Sequence, residues 1–466
     1  MATTITQQPL FTQLPVGQEV IFTIANNNIV AQFTNVSFQA DVYISNFTPP
    51  SITGTPLATF KTKPNNTGVG IFDFRQVVES YVSADNLATE GSSYKSSTTN
   101  IIPNHPLHLI DKYSRNTNAM RWLRIEFKTV YVDANGDVQE DTPTSSVNYR
   151  LFNGYLKYDD VLDIQNVNFG YDLSKFKPDA DTKSFLSNAP TTQYANLEDY
   201  GTFAFLDSNN DISAILFKYY NSSGVQIGSE SLAQTLANGG GFTATQDIQR
   251  NLLYFGCFPA NLRSYGTTGG TPTLFQSLVT AGTIQGGYYT LQAYKIISTN
   301  FVTQEYTINL NCPNLKGYES IRLCWLNQWG AWDYYTFTQK STRNISTKGS
   351  TYEQLGGSWN DSAYRINGFQ GGKKTFRVNA TEKITMNTDF VSESENIIFE
   401  ELTNSPEVYI LAKYSDVLDV NTVLNQYVTP VRITSTNFTK KTVANDKLIQ
   451  YTFEVEKSKT LRTQSI

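Results

Sequence analysis

Histidine, methionine and cysteine are scarce in this chain, with two, three and three copies among 466 residues. Charged residues make up 17% of the chain, whereas about a quarter is usual for soluble proteins. The formal net charge is −5, which disfavours a nucleic-acid-binding protein because such proteins need a basic face to displace counterions. The composition therefore predicts no nucleic-acid partner, and it offers few side chains for acid–base or metal chemistry.

Long apolar runs are absent as well. No stretch approaches the roughly 20 apolar residues that a membrane-spanning helix needs, so we expect no membrane insertion. The first residues, Met1 to Thr4, lack both the basic and the apolar region of a secretory signal. The sequence thus predicts a protein that folds in a cytoplasm.

The cysteines do not follow the spacing of a metal or redox motif. Cys257, Cys312 and Cys324 form no CxxC pair, and their odd number fits a reducing compartment. A disulfide between Cys312 and Cys324 stays open as an alternative, but the pattern favours buried free thiols.

Catalytic motifs are missing from the remaining residues. His105 and His108 form an HxxH pair in a proline-flanked segment, where a surface role is favoured over metal binding because no third ligand is near. There is no GxSxG motif, and the glycines at 239–241 lack the Lys-Ser/Thr of a phosphate loop. We expect no enzyme activity, no cofactor and no metal. Paired glycosidase carboxylates stay open, since sequence alone does not show which acidic residues converge.

Aromatic and small polar residues are abundant instead, with 28 Tyr and 28 Phe. Such residues fit pleated strands and the turns between them. Apolar residues alternate with more polar ones at 36–44 and again at 122–131, which predicts two half-buried strands. The fold class expected is mainly β: several β-sandwich (Ig-like) domains, a few short helices and a small α+β C-terminal part. The domains expected are 1–160, 161–312 and 313–466, the last with a short helix near 390–402.

Local motifs refine this prediction. Asn135-Gly136 indicates a type I′ hairpin turn. Asp73 and Gln76 resemble a helix capping box, as do Ser392 and Glu395. Residues 341–372 are rich in Ser, Gly and Asn and predict a long exposed loop, which in a compact domain is functional, assembly-related or disordered.

One segment nearly repeats another. Residues 157–163 and 413–419 share the pattern KYxDVLD. Coincidence is the favoured interpretation because repeat arrays show at least three copies at a fixed period, but duplication stays open.

The most aromatic segment extends from 306 to 338 and predicts two strands around a turn at 327–330. Trp329, Trp332, Tyr334 and Tyr335 are the candidate contact residues. Three roles fit them: a core, a protein interface, or a platform on which a glycan stacks.

Three stretches make the chain resemble structural proteins of tailed bacteriophages, especially those of Bacteroidetes and related marine hosts. They are residues 38–44 followed by 60–64 and 70–74, then residues 323–337, and a closing set at 400–409 and 445–456. The resemblance implies a virion protein of the tail, baseplate or neck, assembled in the host cytoplasm as a ring. Its partners would be copies of itself and other tail or neck proteins. The alternative is a receptor-binding tail protein that contacts a host surface glycan.

Overall fold

The computed structural model describes residues 2–46, 48–83, 113–115, 119–157, 173–206, 212, 214–233, 252–264, 273–295, 300–311, 317–358, 361–415, 428–435, 437–442 and 449–462. The chain divides into two compact units. The first comprises Met1–Cys312, Leu326–Asp333 and Lys413–Ser415, and the second comprises Pro313–Trp325, Tyr334–Ala412 and Asp416–Ile466. The boundaries predicted near 160 and 312 lie outside the described residues, so the three-domain division stays a prediction.

The elements confirm a mainly β protein with few, short helices. In chain order the strands are β1 Thr4–Gln7, β2 Gln13–Pro15, β3 Ile21–Ala25, β4 Thr34–Ser45, β5 Ala58–Thr62, β6 Val69–Asp73, β7 Tyr113–Arg115, β8 Met120–Val132, β9 Val138–Glu140, β10 Thr144–Ser145, β11 Tyr149–Phe152, β12 Thr192–Ala195, β13 Thr202–Leu206, β14 Ala214–Tyr220, β15 Gln226–Ala233, β16 Leu252–Gly256, β17 Tyr288–Tyr294, β18 Tyr306–Leu310, β19 Ile321–Leu326, β20 Trp332–Phe337, β21 Thr342–Gln354, β22 Gly372–Asn387, β23 Val408–Leu411, β24 Val428–Ile433 and β25 Thr452–Lys457. The helices are α1 Asn27–Gln32, α2 Arg75–Glu79, α3 Pro259–Ser264, α4 Leu274–Thr280 and α5 Asn396–Asn404.

The N-terminal part of the first unit is a β-sandwich. One sheet has the order β1-β3-β6, and the other has β2-β11-β8-β4-β5 with the short β9 and β10 also paired to β8. Both predicted strands are confirmed: Phe38, Ala40 and Val42 of β4 and Leu123, Ile125 and Phe127 of β8 are fully buried, which directs one face of each strand to the core. Phe22 of the first sheet packs against Phe127 of the second at 5.4 Å between ring centroids. Each such buried ring contributes about 1.5–3 kcal/mol to folding.

A second pair of sheets lies further along the same unit. Their orders are β12-β18-β17-β14-β15 and β13-β16-β7. Phe203 of β13 packs against Tyr306 of β18 at 5.2 Å, and Phe217 of β14 packs against Phe255 of β16 at 5.9 Å. These contacts join the two sheets into a second sandwich.

The second unit contains one sheet of seven strands, in the order β20-β19-β23-β24-β25-β22-β21. Helix α5 covers the sheet: its Phe399 lies 4.9 Å from Tyr335 and 5.5 Å from Phe453, between ring centroids. This arrangement agrees with the expected α+β C-terminal part. Strand β21 is the last strand at one edge of the sheet.

Four hairpin-like loops share one sequence rule, Asx-x-x-Gly. They begin at Asn65, Asp133, Asn221 and Asn327 and end at glycines with φ of 80°, 88°, 77° and 75°. In each loop the first side chain accepts hydrogen bonds from backbone N–H groups two and four residues on. The type I′ prediction for Asn135-Gly136 is therefore wrong. Asn135 does not have positive φ, because the Asp133 carboxylate organises the loop and only its glycine is left-handed.

Of the two predicted capping boxes, one is confirmed and one is wrong. Ser392 and Glu395 form the predicted capping box, in which the Ser392 N–H donates to the Glu395 carboxylate at 2.7 Å. The predicted box at Asp73 is wrong: Phe74 is the N-cap of α2, and Asp73 ends β6 and accepts from the Val20 N–H at 3.2 Å. No helix in the described ranges is long and apolar enough to cross a membrane.

Candidate interaction surface

The aromatic residues singled out in the sequence belong to the interior. Strands β19 and β20 flank the turn at 327–330, as predicted. The Asn327 side chain holds this turn closed by accepting from the N–H groups of Trp329 and Ala331, both at 3.0 Å. The Asn327 amide also donates to the Leu186 carbonyl at 2.9 Å and to the Asp333 carboxylate at 3.1 Å. The turn is therefore fixed on both sides within the first unit.

The burial of these side chains leaves little surface for a partner. Trp329, Trp332 and Tyr334 expose only 6%, 5% and 8% of their area. The Trp329 ring packs on Phe176, with centroids 4.4 Å apart. In the second unit, the Arg322 guanidinium lies 5.2 Å from the centre of the Tyr334 ring, and the partly buried Tyr335 packs on Phe399. Burial, together with the nearby Glu395 and Asp389 carboxylates, raises the pKa of Tyr335. Of the three roles open at the outset, the geometry favours the core.

The other candidates from the sequence are the cysteines, the two histidines, the glycines at 239–241 and the near-repeat. Cys257 and Cys324 are buried free thiols, as favoured from the sequence, and burial raises the pKa of Cys324. Cys312, His105, His108 and the glycines at 239–241 lie outside the described residues, as do most residues of the near-repeat. Among the residues that are described, no cluster of three His, Cys, Asp or Glu side chains could hold a metal ion.

A long antiparallel ribbon formed by β21 and β22 is exposed over most of its length. We call residues 342–387 the arm. The two strands pair from Thr342↔Thr385 to Gln354↔Gly372, with a register shift between Ser350 and Thr351. The prediction of an exposed loop over 341–372 is thus wrong for residues 342–354, which form a strand. Both faces of that strand are exposed, so its sequence lacks the alternation of apolar residues by which a strand is recognised.

The arm extends beyond the sheet to which it belongs. Strand β22 pairs with β25 only from Lys383 to Asn387, and a single further bridge joins Ala380 to Leu461. Strand β21 ends the strand order of the sheet. Among the described residues, the outer edge of β21 and the edge of β22 from 372 to 379 therefore have no strand neighbour. Unpaired strand edges of this kind are ready templates for pairing with another chain.

The register gives the two faces of the ribbon different chemistry. One face has Ile345 and Val378, which are 59% and 40% exposed and continue the core-facing side of β22. The opposite face has Lys348, Arg377 and Lys374, which occupy successive positions about 7 Å apart. We call these three residues the basic face. No Asp or Glu occurs on that side of either strand.

The tip of the arm, residues 355–371, is closed by its own contacts. Tyr364 donates a hydrogen bond to the Gly356 carbonyl at 2.7 Å, and the Ser358 N–H donates to the Arg365 carbonyl at 3.0 Å. Among its described residues the tip nevertheless exposes four large apolar side chains: Leu355 (62%), Tyr364 (67%), Ile366 (81%) and Phe369 (78%). Exposed apolar patches mark contact sites for other proteins.

The base of the arm is held by a charge network inside the second unit. The Glu382 carboxylate is 8% exposed and accepts from Arg343 at 2.7 Å and from Lys457 at 2.6 Å. Arg343 also donates to Glu319 at 2.7 Å. The network fixes the direction in which the ribbon leaves the sheet, because it ties both arm strands to β25.

Comparison with known proteins adds no constraint to this geometry: no protein-family model matches the chain, and no curated protein matches it.

The sequence contains one signal for the arm that hydrophobic periodicity does not reveal. Residues 342–352 contain four β-branched residues, three Thr and one Ile, and no proline. Residues 373–386 have a similar composition on the far side of a glycine-containing segment. β-Branched residues on both sides of a turn are typical of a solvated hairpin.

Proposed function

We propose that this chain is a non-enzymatic structural subunit of a tailed-phage virion, in the tail, baseplate or neck, and that it assembles into a ring. The observation that supports this proposal is the arm. An isolated two-stranded ribbon is at best marginally stable in water, and three or more strands or a packed face are needed for independent stability. A ribbon of this length with exposed apolar residues at its tip is therefore typical of a protein that completes its packing against a partner.

The placement in a virion is supported by a resemblance to phage structural proteins. The segments that carry it are 38–44, 60–64, 70–74, 323–337, 400–409 and 445–456. The composition is compatible with this role. A surface rich in Asn, Thr and Ser, with few long charged side chains, loses less side-chain entropy when subunits pack. The receptor-binding alternative places a host glycan on the aromatic cluster or on loops, and Trp329 and Trp332 of that cluster are buried.

The proposal is tested by quantitative mass spectrometry of purified particles of the phage that encodes the chain. We expect the chain in several copies per particle, in a fixed ratio to other tail or neck proteins. Its absence from particles would contradict the proposal. Turnover of host polysaccharide by the purified chain would also contradict it, since the chain would then be an enzyme.

A further inference from the structure

We propose that the arm of one copy binds a second copy of this same chain, with its basic face against an acidic surface and its tip as the apolar anchor. This inference rests on the proposed function and names the partner of the arm. A second copy is the proposed partner because the chain itself has the complementary charge.

The charge of the arm is opposite to that of the remaining chain. Residues 342–387 contain seven Lys or Arg and three Asp or Glu, a formal net charge of +4. The other residues contain 29 Lys or Arg and 38 Asp or Glu, a formal net charge of −9. A basic element and an acidic body attract each other when they belong to different copies, which speeds encounter and fixes orientation.

The cations of the basic face are not neutralised by any residue that the structure describes. Lys348, Lys374 and Arg377 form no ion pair in the part of the chain that the structure describes, whereas Arg343 and Lys383 at the base pair with Glu382 and Glu454. Three like charges at steps of about 7 Å repel one another, so an acidic partner surface would relieve this repulsion.

The tip would supply the apolar contribution. Ile366 and Phe369 expose 81% and 78% of their area, the largest values among the described large apolar side chains of the tip. Aromatic and aliphatic side chains that enter a pocket on a partner dominate binding energies, while surrounding charges contribute specificity and rate. We therefore expect the tip to determine most of the binding energy, and the basic face to determine the specificity and rate of association.

The geometry of such a contact suits a ring. The arm and its acceptor are different surfaces of one chain, so copies can join head to tail, and head-to-tail contacts that close generate cyclic oligomers. Until the ring closes, such an assembly has a free arm at one end and a free acceptor at the other.

Sedimentation velocity of the full-length chain at low and high salt is the first test. We expect concentration-dependent oligomers that weaken as salt rises. The variant Lys348→Glu/Arg377→Glu should weaken association at least tenfold. The matched control Lys63→Glu/Lys459→Glu makes the same charge change at exposed positions outside the arm and should leave association within about twofold. Phe369→Ser should weaken association with little change in its salt dependence.

The outcomes that would overturn the inference are distinct. A wild-type chain that stays monomeric at low salt at the highest attainable concentration contradicts it. So does an equal effect of the arm and control variants. Binding of double-stranded DNA that Lys348→Glu/Arg377→Glu abolishes would assign the basic face to nucleic acid instead. All of these substitutions are at exposed side chains, and a circular dichroism melt checks that each variant is folded.

Photo-cross-linking separates this inference from the proposed function. A photoreactive residue replaces Phe369 in a mixture of ¹⁴N- and ¹⁵N-labelled full-length chains. Cross-links that join labelled to unlabelled copies support the inference. In particles, cross-links from position 369 only to a different virion protein would overturn the inference while leaving the proposed function intact, and absence of the chain from particles would overturn the proposed function alone.

Discussion

Arg343 of β21 donates to the buried carboxylate of Glu382 on β22 at 2.7 Å, and Lys457 of β25 donates to the same group at 2.6 Å. Burial alone would raise the pKa of the Glu382 carboxyl, but the hydrogen bonds and charges of Lys457 and Arg343 hold it below its ordinary value of 4.5. This carboxylate is the junction between the sheet and the arm.

Replacing Glu382 by Gln should lower the free energy of unfolding by about 1–3 kcal/mol at pH 7, because two cations lose a buried partner while remaining partly solvated. Because the pKa of Glu382 in the folded chain is below 4.5, the stability that its ionised carboxylate contributes is complete above pH 4.5. This contribution is lost as the pH falls through the folded-state pKa. Denaturant unfolding at several pH values measures this, and the difference between wild type and variant should shrink below pH 4.5.

The exposed pair of Lys383 and Glu454, 2.9 Å apart, provides the control for this measurement. Glu454→Gln should change the free energy of unfolding by less than about 1 kcal/mol, since exposed pairs are screened by solvent. Equal losses for the two variants would show that the burial of Glu382 has no special effect.

Gly136 and Gly330 end two of the Asx-x-x-Gly loops with similar φ, but we expect alanine substitutions at them to lower the free energy of unfolding by different amounts. A Cβ at Gly136 would have no atom within 4 Å, whereas a Cβ at Gly330 would lie 2.0 Å from the Asn153 carbonyl oxygen. Gly136→Ala should cost about 1 kcal/mol for left-handed backbone alone. Gly330→Ala should cost at least about 2 kcal/mol more, because the backbone of a neighbouring segment must move. Thermal or denaturant unfolding of the two variants checks the order.

Trp329→Ala should destabilise the chain by about 3–5 kcal/mol, because the indole packs on Phe176 and is 6% exposed. Tyr364→Ala, at a residue 67% exposed on the tip, should change the free energy of unfolding by about 1 kcal/mol or less. If Trp329→Ala instead left stability unchanged and abolished binding to a glycan array, the aromatic residues would be a receptor platform after all.

Hydrogen exchange should follow a gradient along β22. The amides from Lys383 to Thr385 lie between two strands, whereas those from 372 to 378 have β21 as their one described neighbour. We expect exchange in the second group to be faster by at least tenfold in the isolated chain, since edge hydrogen bonds open locally. Uniform protection along β22 in the isolated chain would contradict this gradient.

Sequence patterns predicted the elements that contain alternating apolar residues or a local motif. The alternation in β4 and β8, the strands around 327–330 and the capping box at Ser392 all follow from local rules. Strand β21 of the arm was missed because neither of its faces packs on the chain, so no periodic hydrophobic signal exists. The aromatic residues at 329–335 were ambiguous, because the chemistry of a buried and of a contact aromatic side chain is the same and only tertiary packing separates them.

An electron-microscopy reconstruction of the assembled particle tests most directly whether the chain forms a ring through its arms. It should show the chain as a ring of identical subunits, with residues 342–387 of each copy against an acidic surface of the next. A particle that lacks the chain, or one in which the arms of a resolved ring point into solvent, would contradict it.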